Sequence, residues 1–261
     1  MNRFVAGTCV LAFALIALGS AKAQDFNGFY VGGNGGGVFG RDSVQTSPIF
    51  SPTGYFATSS IPAITGASTQ QIKENGFTAG GQFGYNHQWD NFVFGLEVDF
   101  GKASFSGSTT TGPVQYPCCP PTPTNPNNFT VVQTAESNWL MTARPRIGAT
   151  FGHVLAYGTA GLAVTNVKYS ALFTDTFAAA HESASLDEKR PGWAAGGGME
   201  VAVTHHWSIN GEYLYCGFGR ASVTSTNLTA FTPPIPFPTN IFTHSVDVKM
   251  QVARAGINFR F

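Results

Sequence analysis

Charged side chains and cysteines are both scarce in this sequence. Charged residues make up 11% of the 261 positions, with 14 basic and 14 acidic side chains. A chain without a basic excess lacks the electrostatic footprint of a nucleic-acid-binding protein. The cysteines are Cys9, Cys118, Cys119 and Cys216, too sparse a set for a disulfide framework. Cys118 and Cys119 are neighbours that could be oxidised locally or free, and Cys216 is predicted to be a small buried filler.

Long hydrophobic runs are missing after the first 23 residues. No later stretch approaches the ~20 apolar residues that a transmembrane helix requires. The apolar run Phe4 to Leu18 follows the basic Arg3 and precedes the small-x-small sequence Ala21-Lys22-Ala23. This order predicts a secretory signal peptide over residues 1–23 and a mature domain over residues 24–261. Cleavage would leave 12 basic and 14 acidic residues, a net charge of −2.

Glycine and phenylalanine are abundant, with 31 and 23 residues. The last stretch of the chain shows an alternation of apolar and polar residues. Side chains of a β-strand alternate between its two faces. One face of the last stretch carries Ala253, Ala255, Ile257, Phe259 and Phe261. The other face carries Arg254, Gly256, Asn258 and Arg260. A strand therefore sorts apolar from polar side chains here, and the chain stops on an aromatic ring of the kind that suits a lipid–water boundary.

The same alternation recurs upstream and predicts eight strands in all. Strand five, from Val154 to about Thr165, is apolar or small on both sides, so its facing cannot be read. Long polar or Pro-rich stretches alternate with short turns between the strands, and the predicted long loops cover residues 41–71, 104–137, 170–189 and 220–244. An even strand number with long loops on one side is typical of outer-membrane barrels. The fold class is therefore predicted as all-β, an eight-stranded antiparallel up-and-down transmembrane β-barrel with long outer loops and short periplasmic turns.

The polar faces of these strands carry most of the charge of the barrel. The inward-facing charged residues are predicted to be Glu97, Asp99, Arg144, Arg146, Glu200, Glu212 and Arg254. A basic residue facing lipid at mid-depth would cost ~2–4 kcal/mol, so an inward orientation is expected. The lumen of an eight-stranded barrel has room only for its own side chains. A structural charge network is the favoured interpretation, and a narrow, charge-lined path for small solutes is the alternative.

Catalytic and metal-binding patterns are weak. His181 and Ser183 would share one face of an extended segment near Glu188, which leaves a lipid-modifying enzyme as a distant third function. His205-His206 lies in a turn, and the sequence offers no third ligand for a metal. We expect no cofactor, no metal site and no enzymatic activity.

Several strand motifs resemble the small porin-like outer-membrane immunogenic proteins of Gram-negative bacteria. The matching segments are residues 28–33, 81–88, 93–99, 144–148, 212–215 and 255–261. Their loops do not share the Cys118-Cys119 pair or the Pro-rich tracts.

The resemblance implies a barrel similar to the membrane domain of OmpA, located in the cell outer membrane, with an envelope-structural or surface-antigen role. It also implies contacts with outer-membrane lipid and with the barrel-assembly machinery. That machinery would recognise Phe261 and Phe259 as a C-terminal assembly signal. The four loops around Gly54, Pro120, Ala179 and Pro234 are long, polar and Pro-rich, so we expect them to face outside and to offer sites for an extracellular ligand.

Overall fold

The computed structural model describes residues 25–261, so the predicted signal peptide of residues 1–23 lies outside the described part. Its long strands are β1 (Gly28–Pro48), β2 (Gln70–Trp89), β3 (Phe92–Gln115), β4 (Asn128–Phe151), β5 (Val154–Asp175), β6 (His181–Ala202), β7 (Trp207–Ser225) and β10 (Phe242–Arg260). A short helix α1 (Ser60–Ser68) and the two-residue strands β8 (Thr229–Ala230) and β9 (Ile235–Pro236) lie in the connections. Within the described residues, no helix is long and apolar enough to cross a bilayer.

The eight long strands close into a ring. Sequential neighbours pair from β1 to β7, β7 pairs with β10, and β10 pairs with β1, all antiparallel. From the outer connections' side, residues 182–192 of β6 have no partner on β7, but from Trp193 onward the two strands pair. Closure therefore leaves no unpaired edge in the lipid-facing part of the ring, where lipid would not tolerate one. The predicted all-β, eight-stranded antiparallel barrel is confirmed.

The predicted facing of the strands is confirmed as well. Outward aromatic rings such as Trp89 and Phe92 are 73% and 59% exposed, whereas inward neighbours such as Val93 are buried. Strand β5, which the sequence left open, points Leu155 and Tyr157 into the barrel and leaves Leu162 exposed. Exposed apolar side chains arranged in a belt fit a wall that contacts lipid.

Two rings of aromatic side chains bound this belt. The inner girdle comprises Trp89, Phe92, Phe151, Trp207 and Phe261, at the short-turn end. The outer girdle comprises Phe39, Phe77, Trp139, Trp193 and Tyr215. The strands continue beyond the outer girdle, and there their outward faces carry polar and charged residues. The barrel therefore extends out of the lipid on the side of the larger connections.

The predicted loop boundaries are wrong, because the strands continue beyond the outer girdle into stretches that the sequence predicts as loops. The outer connections cover only residues 49–69, 116–127, 176–180 and 226–241, so the third is not a long loop. The turns at the other end are residues 90–91, 152–153 and 203–206. Beyond the membrane the outer wall meets water, so the outward-facing residues there are no longer apolar. The backbone pairing of the strands continues nevertheless.

The three cysteines within residues 25–261 occupy two different environments. Cys118 and Cys119 form a disulfide between neighbours in the connection of residues 116–127. Cys216 is fully buried in the apolar part of the lumen, as a small filler.

Candidate functional site: the filled barrel interior

The structure brings all seven predicted lumen residues into one cluster in the membrane-embedded half of the barrel. They come from five strands: β3, β4, β6, β7 and β10. Each of the seven is buried, with at most 8% of its surface exposed. Side-chain parity explains this placement, because every second residue of a strand points inward.

Arg144 lies at the centre of the cluster and contacts three carboxylates. Its guanidinium is 2.9 Å from Glu97, 3.0 Å from Asp99 and 2.9 Å from Glu212. Glu97 is its direct cross-strand partner on β3, whereas Glu212 lies on β7, on the far side of the ring. The Arg144–Glu212 pair therefore crosses the lumen.

Arg254 makes a second crossing. Its guanidinium lies 2.7 Å from Glu212, its cross-strand partner, and 3.0 Å from Asp99 on the opposite wall. Thr142 donates a hydrogen bond to the same Asp99 carboxylate. Charge-assisted bonds of this kind are among the strongest hydrogen bonds in proteins and fix guanidinium geometry.

Arg146 joins the central cluster to a layer nearer the inner end. It lies 3.3 Å from Glu200 and 3.6 Å from Glu97, and its guanidinium stacks over the rings of Tyr30 and Tyr157 at 4.6 and 5.1 Å. The Tyr30 hydroxyl donates to Glu97 at 2.6 Å. Aromatic faces favour a desolvated cation, so these rings stabilise the buried guanidinium.

Sequence reasoning missed Arg260 as a member of this network. Its guanidinium lies 3.3 Å from Glu200 and stacks over Phe26 at 4.7 Å. With Arg260 included, four arginines face four carboxylates, so the network is neutral in formal charge. The parity of the last strand places Arg260 on the same face as Arg254, and that signal could have identified it.

Apolar side chains fill the lumen above the charge network. They include Val38, Leu140, Leu214, Met250 and Val252, all buried. A second polar cluster follows, in which the His244 ring lies 2.8 Å from the Thr46 hydroxyl and 3.2 Å from the Glu182 carboxylate. An aromatic cap from the outer connections closes that end, with Phe56 packed against Phe173 and Phe242. The charge network is thus followed by an apolar layer, a polar cluster and an aromatic cap, four layers in succession.

The two terminal aromatic residues lie where the sequence places them. Phe261 is 73% exposed at the inner girdle, and its ring packs edge-on against Phe259 with centroids 5.4 Å apart. The Phe261 backbone amide donates to the Phe29 carbonyl at 3.1 Å, so the last residue is tied to β1. An exposed terminal ring is thus held in a defined position.

The structure does not bring the weak catalytic and metal-binding candidates into a site. His181 and Ser183 lie on the outward face of β6 and not in a loop, and no hydrogen bond joins their side chains. Glu188 pairs with Arg190 at 3.0 Å. In residues 25–261, no group of three or more His, Cys, Asp or Glu is placed to hold a metal ion.

The matching family model and the similar proteins are all described as outer-membrane proteins. A family model described as an outer membrane protein beta-barrel domain matches residues 8–261. The 31 kDa outer-membrane immunogenic protein of Brucella melitensis is 30% identical over 192 residues, which is 73% of this chain and 68% of that protein. The 22 kDa outer membrane protein of Rhizobium leguminosarum bv. viciae is 29% identical over 142 residues, 53% of this chain and 52% of that protein.

The fold is also similar to solved outer-membrane proteins. The attachment invasion locus protein Ail of Yersinia pestis is 14% identical, with a TM-score of 0.32, and the alignment covers 88% of this chain and 99% of that chain. The outer membrane protease OmpT from Escherichia coli is 8% identical, with a TM-score of 0.42 and coverage of 93% and 99%.

Proposed function

The chain belongs to the outer membrane protein β-barrel domain family, and we propose that it serves in the outer membrane as a closed structural barrel that displays surface loops. The observation that carries this proposal is the pair of bridges across the lumen. Arg144 and Arg254 each contact carboxylates on the near and the far wall, at 2.7–3.0 Å. A solute would have to break these contacts and leave buried charges uncompensated, which is costly.

The apolar layer and the aromatic cap support the same proposal. Water and ions gain little from passing a layer rich in buried apolar side chains such as Leu214 and Met250, because these side chains offer no hydrogen-bonding groups. The alternative, a narrow porin, would need a continuous polar path. We therefore favour the structural role over the channel.

The outer connections support a display role. Residues 49–69, 116–127, 176–180 and 226–241 contain no Asp, Glu, Lys, Arg or His, and aromatic contacts such as Tyr55 with Phe237 hold them together. The Brucella relative is named as an immunogenic protein, and we propose that this chain presents an ordered, uncharged surface of the same kind to the exterior. We propose that an extracellular ligand would bind to this surface.

We propose no enzymatic activity for this barrel. A nucleophile and its base need to lie within hydrogen-bonding reach, and His181 and Ser183 make no such contact in the described structure. Barrel-assembly machinery and outer-membrane lipid are the proposed partners, through the terminal aromatic residues and the apolar belt.

Conductance recording tests the closed-barrel proposal. Purified protein refolded in detergent and inserted into planar bilayers should give no large, stable current steps. Arg254→Ala, which removes one of the two bridges, should give more frequent current fluctuations than Lys168→Ala, whose side chain is exposed on the outer wall. Large stable steps from the wild type would overturn the proposal and favour the porin.

A further inference from the structure

The barrel wall is open on one side beyond the outer girdle. Strand β6 pairs with β7 from Trp193 to Ala202, whereas residues 182–192 have no partner on β7. On the facing side, residues 219–225 of β7 pair with β10 and not with β6. We call the space between these two strand edges the β6–β7 gap.

Side chains, and not backbone bonds, cross the β6–β7 gap at its two ends. At the lower end, Arg190 donates a hydrogen bond to the Arg220 carbonyl at 2.6 Å. At the upper end, the Asn227 side chain donates to the Ser183 carbonyl at 2.8 Å and accepts from the Ser183 amide at 3.4 Å. Residues 184–189 lie between these ends and extend over ~20 Å, at the usual rise of a strand.

The backbone groups that β6 leaves unpaired can be assigned from Ser183. Its N–H and C=O both bond to Asn227, so they point into the gap. The backbone groups of successive residues alternate between the two edges of a strand. Strand β6 pairs with β5 without a register shift, so the N–H and C=O groups of Ser185, Asp187 and Lys189 point into the gap as well.

Strand β7 presents a second set of backbone groups from the other side. The Arg220 carbonyl bonds to Arg190 and therefore faces the gap. By the same alternation, the N–H and C=O groups of Ser222 and Thr224 face it too. Unpaired edges of this kind are templates for a further strand.

The side chains around the gap indicate which strand would fit. On the inner side, Leu186 and Val223 are half-buried and pack against the apolar part of the lumen. On the outer side, Lys189 and Arg220 are exposed, and within residues 25–261 no carboxylate lies within 4.0 Å of either cation. Asp187, between the ends of the gap, is already paired with a lysine of β5 at 3.5 Å. A complementary strand would therefore be apolar inward and acidic outward at the lower end.

We propose that the β6–β7 gap binds an extended peptide segment of another protein, which adds to β6 as an antiparallel strand. In this mode of recognition the main-chain hydrogen bonds provide affinity and the alternate side chains provide specificity. The inward side chains of the peptide contact Leu186 and Val223, and an outward acidic residue lies between Lys189 and Arg220. This site is in the barrel wall and is separate from the uncharged surface of the outer connections.

A second copy of the barrel fits this site less well than a peptide. The open edge of β6 points along the wall towards β7 of its own chain, and not outward from the barrel. Two upright barrels in one membrane therefore cannot bring their β6 edges to the ~4.8 Å spacing of paired strands. A flexible extended segment meets no such restriction.

The orientation of the added strand fixes the design of a probe. In an antiparallel pair, directly opposite residues share a face of the sheet and exchange backbone hydrogen bonds. The outward residues of the peptide would thus lie opposite Lys189, Asp187 and Ser185, in that order from its N-terminus. The probe is the peptide Val-Glu-Val-Thr-Val-Thr-Val, acetylated and amidated at its ends, which places glutamate opposite Lys189.

Fluorescence anisotropy of the labelled peptide with the refolded protein in neutral detergent tests the proposal. We expect saturable binding of the probe. The same peptide with N-methyl groups on its glutamate and threonine amides loses the donors that face β6, and it should bind at least tenfold more weakly. The peptide Val-Thr-Val-Thr-Val-Glu-Val has the same composition with glutamate at the wrong end, and it should also bind more weakly.

Variants of the barrel test the same contacts from the other side. Ser185→Pro removes an N–H that faces the gap and none that pairs with β5, so it should weaken binding tenfold or more, whereas Ser185→Ala should not. Lys189→Gln with Arg220→Gln should weaken binding at least fivefold. Arg41→Gln with Lys73→Gln removes the same charge from exposed positions on β1 and β2 and should leave binding unchanged. Heat-modifiable migration on gels confirms that each variant has folded.

Several outcomes would overturn the proposal. Absence of binding at millimolar probe would remove the site, and equal binding of the N-methylated peptide would show that the main chain of the ligand is not recognised. Both results come from the unaltered barrel, so they hold even if Ser185→Pro fails to fold. Equal losses from the two charge variants would show diffuse attraction to basic side chains. Barrel dimers in native mass spectra that the probe dissociates would make a second copy the occupant. None of these readouts depends on conductance, so they stand apart from the closed-barrel proposal.

Discussion

Glu97 and Arg144 occupy directly opposite positions on β3 and β4, and their side chains meet inside the barrel at 2.9 Å. The same guanidinium reaches Glu212 on the far wall, so one residue links a local strand pair to a contact across the lumen. Removing this side chain breaks a cross-strand contact and a cross-lumen contact together.

Arg144→Ala should therefore lower the free energy of unfolding strongly. Its loss leaves Glu97, Asp99 and Glu212 partly uncompensated, and breaking a buried ion pair typically costs ~3–5 kcal/mol. Urea unfolding in detergent, followed by the heat-modifiable band on gels, measures the change. Lys73→Ala, on the exposed outer wall, should stay within ~0.5 kcal/mol of the parent, and an equal loss in both variants would contradict a network role.

Arg260→Ala should destabilise less than Arg144→Ala. Arg260 contacts one carboxylate, Glu200, at 3.3 Å, and Arg146 continues to compensate that charge. The same unfolding assay ranks the two variants. An Arg260→Ala barrel as unstable as Arg144→Ala would mean that the inner layer, and not the crossing bridges, carries the network.

Asp42 and Glu74 predict a pH dependence of stability. Both lie beyond the outer girdle and point into the barrel, and burial raises the pKa of Asp42 to about 7 and the pKa of Glu74 to about 9. The charge of Asp42 raises the pKa of Glu74 further. The folded state therefore holds protons that the unfolded chain releases near pH 4, so this stabilisation is complete below pH 4 and is lost as the pH rises through 7 to 9.

Glu74→Gln should flatten this dependence. Unfolding free energies measured between pH 5 and 9 should fall for the parent and change much less for the variant, which should be the more stable of the two at pH 9. Glu136→Gln, at an exposed outward position, is the control and should follow the parent. If the parent barrel instead gains stability between pH 5 and 9, the buried carboxyl pair does not control the pH dependence of its stability.

Phe261→Ala should reduce the amount of folded protein that reaches the outer membrane. The ring is 73% exposed and packs edge-on against Phe259, so its loss should affect assembly more than stability. Phe151→Ala is a matched control, since Phe151 is 63% exposed in the same inner girdle but away from the terminus. Membrane fractions compared for their heat-modifiable band give the readout, and equal yields from both variants would make the terminal position incidental.

An epitope inserted after Pro123 should be accessible to antibody on intact cells. Pro120 and Pro123 lie in the exposed part of the connection of residues 116–127, at the end of the barrel beyond the outer girdle. The same epitope inserted in the turn of residues 90–91 should bind antibody only after lysis. The reverse result would invert the orientation of the barrel.

The sequence by itself determined which side chains face inward. Alternation with a period of two is a local property of a strand, so Arg144, Glu212 and Phe261 could be assigned to their faces without any knowledge of strand partners. The high cost of a charge in lipid then made the inward orientation of the network predictable. The strand number followed from counting the alternating stretches.

Only the tertiary structure decided where the strands end and which charges meet. Residues 104–115 and 128–138 carry polar side chains outward because they stand in water, and they remain strands because residues such as Phe105 and Val131 are buried inside. Cross-lumen partners such as Arg144 and Glu212 depend on ring closure and register, which bring together strands distant in sequence. The periodicity of one strand depends only on its own residues and carries no information about the strand across the barrel. For this physical reason the facing of side chains could be predicted from the sequence and their cross-lumen partners could not.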